Sequence, residues 1–96
     1  MIKHIVCFKL QNNSDEKLEE TKNILLSMKD NVKLLKDIEV GVDFLHSARS
    51  YDVILQVTLE NKEQLDEYQK DEYHCNVVKK YMHAHTISSV AVDYEM

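Results

Sequence analysis

Apolar residues recur along the chain with two different periods, and each change of period marks an element boundary. Between Ile2 and Leu10 the period is two: Ile2, His4, Val6, Phe8 and Leu10 share one parity, and Ile5 and Cys7 occupy the other. Apolar side chains on both parities describe a strand covered on both faces. Gln11 to Asp15 is a polar turn, and Ser14 or Asp15 is placed to accept from the first free amides of a helix running to about Asp30. Leu18, Leu25, Met28 and Val32 form its apolar stripe with Ile24 beside it, while Glu16, Lys17, Glu19 and Glu20 point to water. From Leu34 to Leu45 the period is again two. Ile38, Val40, Val42 and Phe44 lie on one side and Asp37, Glu39, Gly41 and Asp43 on the other, as in a strand that is half-buried or near a sheet edge.

A polar connection, His46 to Ser50, leads into a strand whose Tyr51, Val53, Leu55, Val57 and Leu59 share a parity; Ile54 interrupts the opposite one. Asn61 and Gln64 have the spacing of a reciprocal cap, and the helix that starts there turns Leu65 and Tyr68 inward. The stripe changes phase around Asp71-Glu72-Tyr73-His74, which predicts a break or kink before Val77, Val78, Tyr81 and Met82. His85 to Tyr94 reads as a closing strand, with Ile87 and Ala91 on one face and Val90 and Val92 on the other.

The order is βαββαβ. Hairpin and right-handed crossover rules fold it most simply into a four-stranded antiparallel sheet with two helices on one face, an α+β, ferredoxin-like protomer. Three strands carry apolar residues on both parities, yet two helices cover only one face. An uncovered patch of that kind is an association surface, and a domain this small gains from a partner because its own core is limited. The pattern therefore predicts a two-fold homodimer whose sheets face one another.

Composition narrows the function classes. The 96 residues, 44% apolar and 30% charged, suit one small globular domain spanning 1–96. Lys+Arg 12 against Asp+Glu 17 gives a net charge of -5, so neither nucleic acid nor an anionic membrane is expected as a partner. The longest uncharged run, Tyr81 to Val92, falls far short of the roughly 20 apolar residues a bilayer requires. The amino terminus enters strand sequence with no secretory h-region, and Cys7 and Cys75 form neither a disulfide framework nor a clustered metal motif. A cytoplasmic protein with reduced thiols is expected.

Met1-Ile2-Lys3-His4-Ile5-Val6-Cys7-Phe8-Lys9-Leu10, and Gly41-Val42-Asp43-Phe44 before Ser47-Ala48-Arg49-Ser50-Tyr51-Asp52-Val53, resemble the stress-responsive dimeric α/β-barrel family, the Dabb domain. The likeness spans essentially the whole chain and includes Tyr68 to His74. It implies a homodimer in which two sheets curl into a shared barrel, so the full fold expectation is a dimeric α/β barrel. The family includes plant polyketide cyclases, which close a linear polyketide by aldol condensation in a pocket between sheet and helices.

Resemblance to those cyclases implies three catalytic residues: His4 on the first strand, Tyr68 in the second helix and His74 after it. The family commonly reads His-Pro-x-His where this chain reads Asp71-Glu72-Tyr73-His74, so Asp71 replaces the first histidine and Glu72 the proline. Histidine suits proton transfer near neutral pH. In such chemistry His74 removes a proton from a carbon between two carbonyls, and Tyr68 donates to the oxygen that gains charge. His4 orients either partner or positions the substrate. The reading with fewest assumptions is a stress-responsive barrel protein that binds a small apolar or polyketide-like molecule. The alternative is a cofactor-independent cyclase or carbon-acid lyase.

The remaining candidates point less far. His83 and His85 stand two positions apart at the entrance to the last strand, but two imidazoles without a third ligand make a weak zinc signal, and no metal is expected. Arg49, between Ser47 and Ser50, suits either a bound carboxylate or phosphate or the anchoring of its own loop. Cys7 reads as a small buried hydrophobe. No phosphate-cradling glycine loop or nucleotide fingerprint is present, and no cofactor is expected.

Overall fold

In a computed structural model covering residues 1–96, strand β1 (Ile2–Leu10) is followed by helices α1 (Asp15–Leu26) and α2 (Met28–Asn31). Strands β2 (Asp37–Val42) and β3 (Val53–Leu59) come next, then α3 (Lys62–Lys70), a π-helical turn (His74–Lys79), α4 (Lys80–His85) and β4 (Thr86–Glu95). The strands form one antiparallel sheet in the order β2-β3-β1-β4. Register settles which residues share a face. Ile2, His4, Val6 and Phe8 oppose Leu59, Val57, Leu55 and Val53, so the even positions of β1 and the odd positions of β3 meet the helices. Leu18, Leu25, Met28, Val32, Tyr68, Val78 and Met82 complete the core from the helical side. Each such side chain contributes roughly 1.5–3 kcal/mol by leaving water.

The expected dimeric α/β barrel is corrected by this topology: the sheet is open, not closed. Its outer strands, β2 and β4, lie on opposite flanks of the β3–β1 pair, and each presents a free edge. Closure requires the first and last strands to bond to each other, and an interior filled by side chains takes about eight strands. Here the sheet has four strands, and its first and last, β2 and β4, are not bonded to each other.

Two boundaries also differ from the periodic reading. The first helix does not run unbroken to Asp30. It ends at Ser27, whose amide still donates to the Asn23 carbonyl at 3.0 Å while its hydroxyl donates to the Ile24 carbonyl at 2.5 Å, a local side-chain bond that favours a helix end. The second strand is shorter than Leu34 to Leu45: the Asp43 carboxylate accepts from the His46 amide at 2.7 Å and turns the chain, leaving Phe44 and Leu45 exposed. Helix α1 begins as expected at Ser14, whose side chain accepts from the Lys17 amide at 3.3 Å.

The sheet face away from the helices is not covered. Ile5 and Cys7 on β1, Ile54 on β3, and Val90 and Val92 on β4 meet there through the pairs Cys7↔Ile54, Cys7↔Val90 and Ile5↔Val92. Gly41 opposes Ile54, and a Cβ at Gly41 would come within 3.0 Å of the Ile54 side chain, so the glycine lets that isoleucine lie flat. No helix is long and apolar enough to cross a membrane.

Asp52 ties the start of β3 to the end of β1. Its buried carboxylate accepts from the Leu10 amide at 2.7 Å and from Asn13 Nδ2 at 3.3 Å. Asp52→Ala strands the Leu10 amide and should destabilise the chain by about 1–3 kcal/mol in urea unfolding. An unchanged midpoint would show that water replaces the carboxylate at no cost.

Candidate functional site

Local sequence brings the three candidate residues together by interrupting the second helical segment. Asn61 caps α3, its Oδ1 accepting from the Gln64 amide at 2.9 Å; Gln64 Oε1 accepts in return from Glu60 N at 3.4 Å, one residue earlier than in the expected reciprocal cap. Helix α3 carries Tyr68 wholly inside, at 0% exposure. At Asp71 the backbone becomes extended, with φ -57 and ψ 133. Asp71 Oδ2 then accepts from the His74 amide at 3.0 Å, and its carbonyl from Cys75 N at 2.9 Å. This is an N-cap. Aspartate is a strong capping residue, and Glu72 places negative charge at the positive end of the new helical segment. The break therefore survives the departure from His-Pro.

The expected phase change is present, with one correction. Val78 and Met82 are buried and Tyr81 is half-buried, but Val77 is exposed. The π-helical turn accommodates an extra residue per turn, so a stripe counted at 3.6 residues misplaces Val77.

His74 Nδ1 lies 3.0 Å from the Tyr68 carbonyl. A carbonyl only accepts, so Nδ1 carries the proton and Nε2 keeps its lone pair. The His74 and Tyr68 rings are stacked, centroids 4.2 Å apart and planes 17° from parallel. His4 meets Tyr68 edge-on at 5.8 Å and 65°, and His4 Nδ1 bonds the Asp93 carboxylate across the β1–β4 pair. His4, Tyr68 and His74 all line one cavity of about 270 Å³ between the sheet and the His74–His85 segment. Val6, Phe8, Leu25, Leu55 and Val78 supply its apolar walls.

Burial moves the two partners in opposite directions. It lowers the His74 pKa below the ordinary 6.5, outweighing the stabilising bond to the Tyr68 carbonyl, so the imidazole is neutral at pH 7. It raises the Tyr68 phenol far above 10, helped by the nearby Asp71 carboxylate, so the hydroxyl keeps its proton. That hydroxyl faces Met28 Sδ at 3.6 Å, a weak acceptor.

Several residues of the site gave no local signal. Asp93 becomes the partner of His4 only once β1 and β4 are adjacent in register. Gln69, Lys79 and His83 also line the cavity. His83 and His85 are corrected from a strand entrance to helix α4, where two positions apart turn about 200° away from each other. His83 accordingly borders the cavity, whereas His85 stacks on Tyr81 at 4.1 Å. No group of three or more His, Cys, Asp or Glu side chains is placed to hold a metal ion. Arg49 is exposed and unbonded; Ser47 and Ser50 tie their loop themselves, hydroxyl to hydroxyl at 2.7 Å. Cys7 is half-buried on the uncovered sheet face, not enclosed in the core.

The sequence profile described as Stress responsive A/B Barrel Domain matches residues 2–96. The chain belongs to this stress-responsive A/B barrel domain family. Solved structures share its fold. A protein from Arabidopsis thaliana is 21% identical with a TM-score of 0.84, over 100% of this chain and 95% of that one. A dimeric ferredoxin-like protein of unknown function from Bacteroides fragilis is 23% identical with a TM-score of 0.79, over 99% and 95%. Another from Thermobifida fusca is 21% identical with a TM-score of 0.83, over 99% and 90%. No curated protein matches the chain in sequence. In this member of the stress-responsive A/B barrel domain family, Asp71-Glu72 forms the helix break that delivers His74 to Tyr68.

The lowered His74 pKa predicts a specific pH dependence of stability. Above about 6.5 the histidine is neutral both folded and unfolded and contributes no slope. As pH falls below 6.5 the unfolded chain takes up the proton first, so stability declines until the folded-state pKa is passed. His74→Phe keeps a ring on Tyr68 but cannot titrate. Urea unfolding between pH 7.5 and 5 should show a smaller acid-side loss in His74→Phe than in wild type. Parallel curves would place the titration elsewhere.

Proposed function

We propose that the chain is a cofactor-independent carbon-acid enzyme, cyclase-like or lyase-like, with His74 as general base and Tyr68 as oxygen-facing donor. The observation that carries this reading is the commitment of His74 Nδ1 to the Tyr68 carbonyl beside the cavity, which leaves Nε2 as a basic nitrogen on a neutral ring. His74 takes the proton from a carbon between two carbonyls, forming an imidazolium and an enolate. Tyr68 exchanges its weak Met28 partner for the enolate oxygen, the place where charge develops. In a cyclisation the enolate carbon attacks a second carbonyl of the same molecule, and His74 returns its proton to the new alkoxide. His4, held by Asp93, positions the substrate. The finer likeness to polyketide cyclases belongs to this proposal. The competing reading, a stress-responsive protein that only binds a small apolar molecule, uses the same cavity without turnover.

The test is deuterium exchange into 2,4-octanedione followed by NMR. Exchange should exceed the protein-free rate and fall by ~10²–10⁴-fold in His74→Ala, the usual contribution of a general base. Tyr68→Phe should retain packing and lose a smaller factor. Equal exchange by wild type and His74→Ala would remove His74 as base and leave the binding reading.

The uncovered sheet face supports association with a second copy. Val92 is 62% exposed there, beside Val90 and across from Ile5, and solved structures of the same fold from Bacteroides fragilis and Thermobifida fusca are described as dimeric. Free Cys7 and Cys75 thiols fit a reducing, cytoplasmic setting. Val92→Asp changes an exposed position, so the isolated chain should keep its stability within about 0.5 kcal/mol. Sedimentation velocity at micromolar concentration should give twice the 11.3 kDa chain mass for wild type and the single-chain mass for Val92→Asp. A monomeric wild type would end the homodimer proposal.

A further inference from the structure

The cavity that holds His74 has a charge pattern unlike the rest of the molecule. The chain carries 17 acidic residues against 12 basic ones, yet no Asp or Glu lines this cavity. Its polar lining consists of Lys79, three histidines, Gln69 and the hydroxyls of Tyr68, Thr86 and Ser89. The carboxylates that reach the site residues from outside are already engaged, Asp93 with His4 and Asp71 with the His74 amide. Lys79 has no carboxylate within ion-pairing distance; its ammonium reaches only the Gln69 carbonyl, at 3.5 Å. A half-buried ammonium with one long hydrogen bond retains donors for a ligand. The opposite walls are hydrocarbon, from Val6, Phe8, Leu25 and Leu55.

From this division we infer that the ligand of the cavity is a small amphipathic monoanion, a carboxylate on an apolar chain, with its head group held by Lys79 and its tail against β1 and β3. The inference rests on the proposed reading in taking this cavity as the substrate site, and it adds the substrate class. Size sets a bound. At roughly 30 Å³ per small group, 270 Å³ admits on the order of ten heavy atoms. A short-chain oxo-carboxylate combines that size, the anionic head and a carbon acid within reach of His74. Lys79 lies five residues beyond His74, at the far end of the π-helical turn, so the same distortion that buries the base brings the lysine to the cavity. Its role is selection, since a charge-assisted bond to a carboxylate is about twice as strong as a neutral one.

The experiment is calorimetric titration of the full chain at pH 7.5 with octanoate, 1-octanol and octylamine, which share a tail and differ in head-group charge. Octanoate should bind about tenfold more tightly than 1-octanol, and octylamine more weakly than either. Lys79→Met, which keeps the apolar stem, should bring octanoate down to the octanol affinity and leave octanol unchanged. Lys79→Arg should preserve the preference. Equal binding of octanoate and octanol by wild type, a preference that survives Lys79→Met, or failure of all three probes to bind would each overturn the inference. Because the readout is affinity, a Lys79-dependent preference together with absent deuterium exchange would overturn only the enzymatic reading.

Discussion

The arrangement of the site depends on one interruption of hydrogen bonding, at Asp71. In an unbroken α-helix, residues six apart are separated by about 9 Å along the axis and by about 240° around it, so their rings cannot meet. Tyr68 and His74 are six apart, and their ring centroids are 4.2 Å apart. The difference is made by one extended residue, which folds the chain back far enough for His74 Nδ1 to reach the Tyr68 carbonyl. Two groups compete for that carbonyl, since the Asp71 amide also donates to it at 3.1 Å. Both of its lone pairs are used, and no buried side-chain nitrogen or oxygen is left unpaired. The Ser27 hydroxyl adds a brace from the first helix by bonding the Tyr73 hydroxyl at 2.6 Å, so the end of α1 and the start of the second segment are fixed to each other.

Burying the stacked pair has an electrostatic consequence that packing alone would not require. Loss of water disfavours whichever form of a group is charged, and the charged forms of phenol and imidazole lie on opposite sides of their titrations. One burial therefore holds both partners neutral, with a proton on the phenol and a free lone pair on the imidazole. A donor and a base side by side is the division of labour that carbon-acid chemistry requires. The same two rings also fill core volume, and stacking, which uses ring faces, leaves the ring edges free for the proposed proton transfer.

Much of this was legible in the sequence because it follows from periodicity. Alternation puts His4 on one parity of β1 with Val6 and Phe8, the parity that the register turns to the helices, and the phase change at Asp71 to His74 locates the break. What escaped has definite causes. A 3.6-residue period turns Val77 inward and cannot anticipate the π-helical turn, which leaves Val77 exposed and brings Lys79 to the cavity. Closure into a barrel came from likeness rather than from the residues, and the order β2-β3-β1-β4 leaves the sheet open. Asp93 was silent because its meaning lies in pairing across the whole length of the chain, and no local window contains it. Apolar residues on both parities of the strands did correctly anticipate a sheet face without cover.

Strand β4 is where the two faces of the sheet depend on one register. Its neighbouring residues Val92 and Asp93 point to opposite sides: Val92 joins Ile5 on the uncovered face, and Asp93 reaches His4 at the cavity. A slip of one residue would exchange them, putting a carboxylate into the apolar patch and a valine beside the histidine. The register is set at the other end of the strand, where α4 runs directly into β4. Leu10 pairs with Thr86 and Lys9 with Ser88, so Ile87 is an extra residue, bulged out and exposed. A bulge at that junction absorbs the mismatch between helix and strand in one unpaired residue. Every later pair then falls into place, down to His4 opposite Asp93. The polarity of the cavity and the apolarity of the outer face are thus two readings of a single alignment, which includes one bulged residue, Ile87, about 20 Å from Asp93 at roughly 3.4 Å per residue.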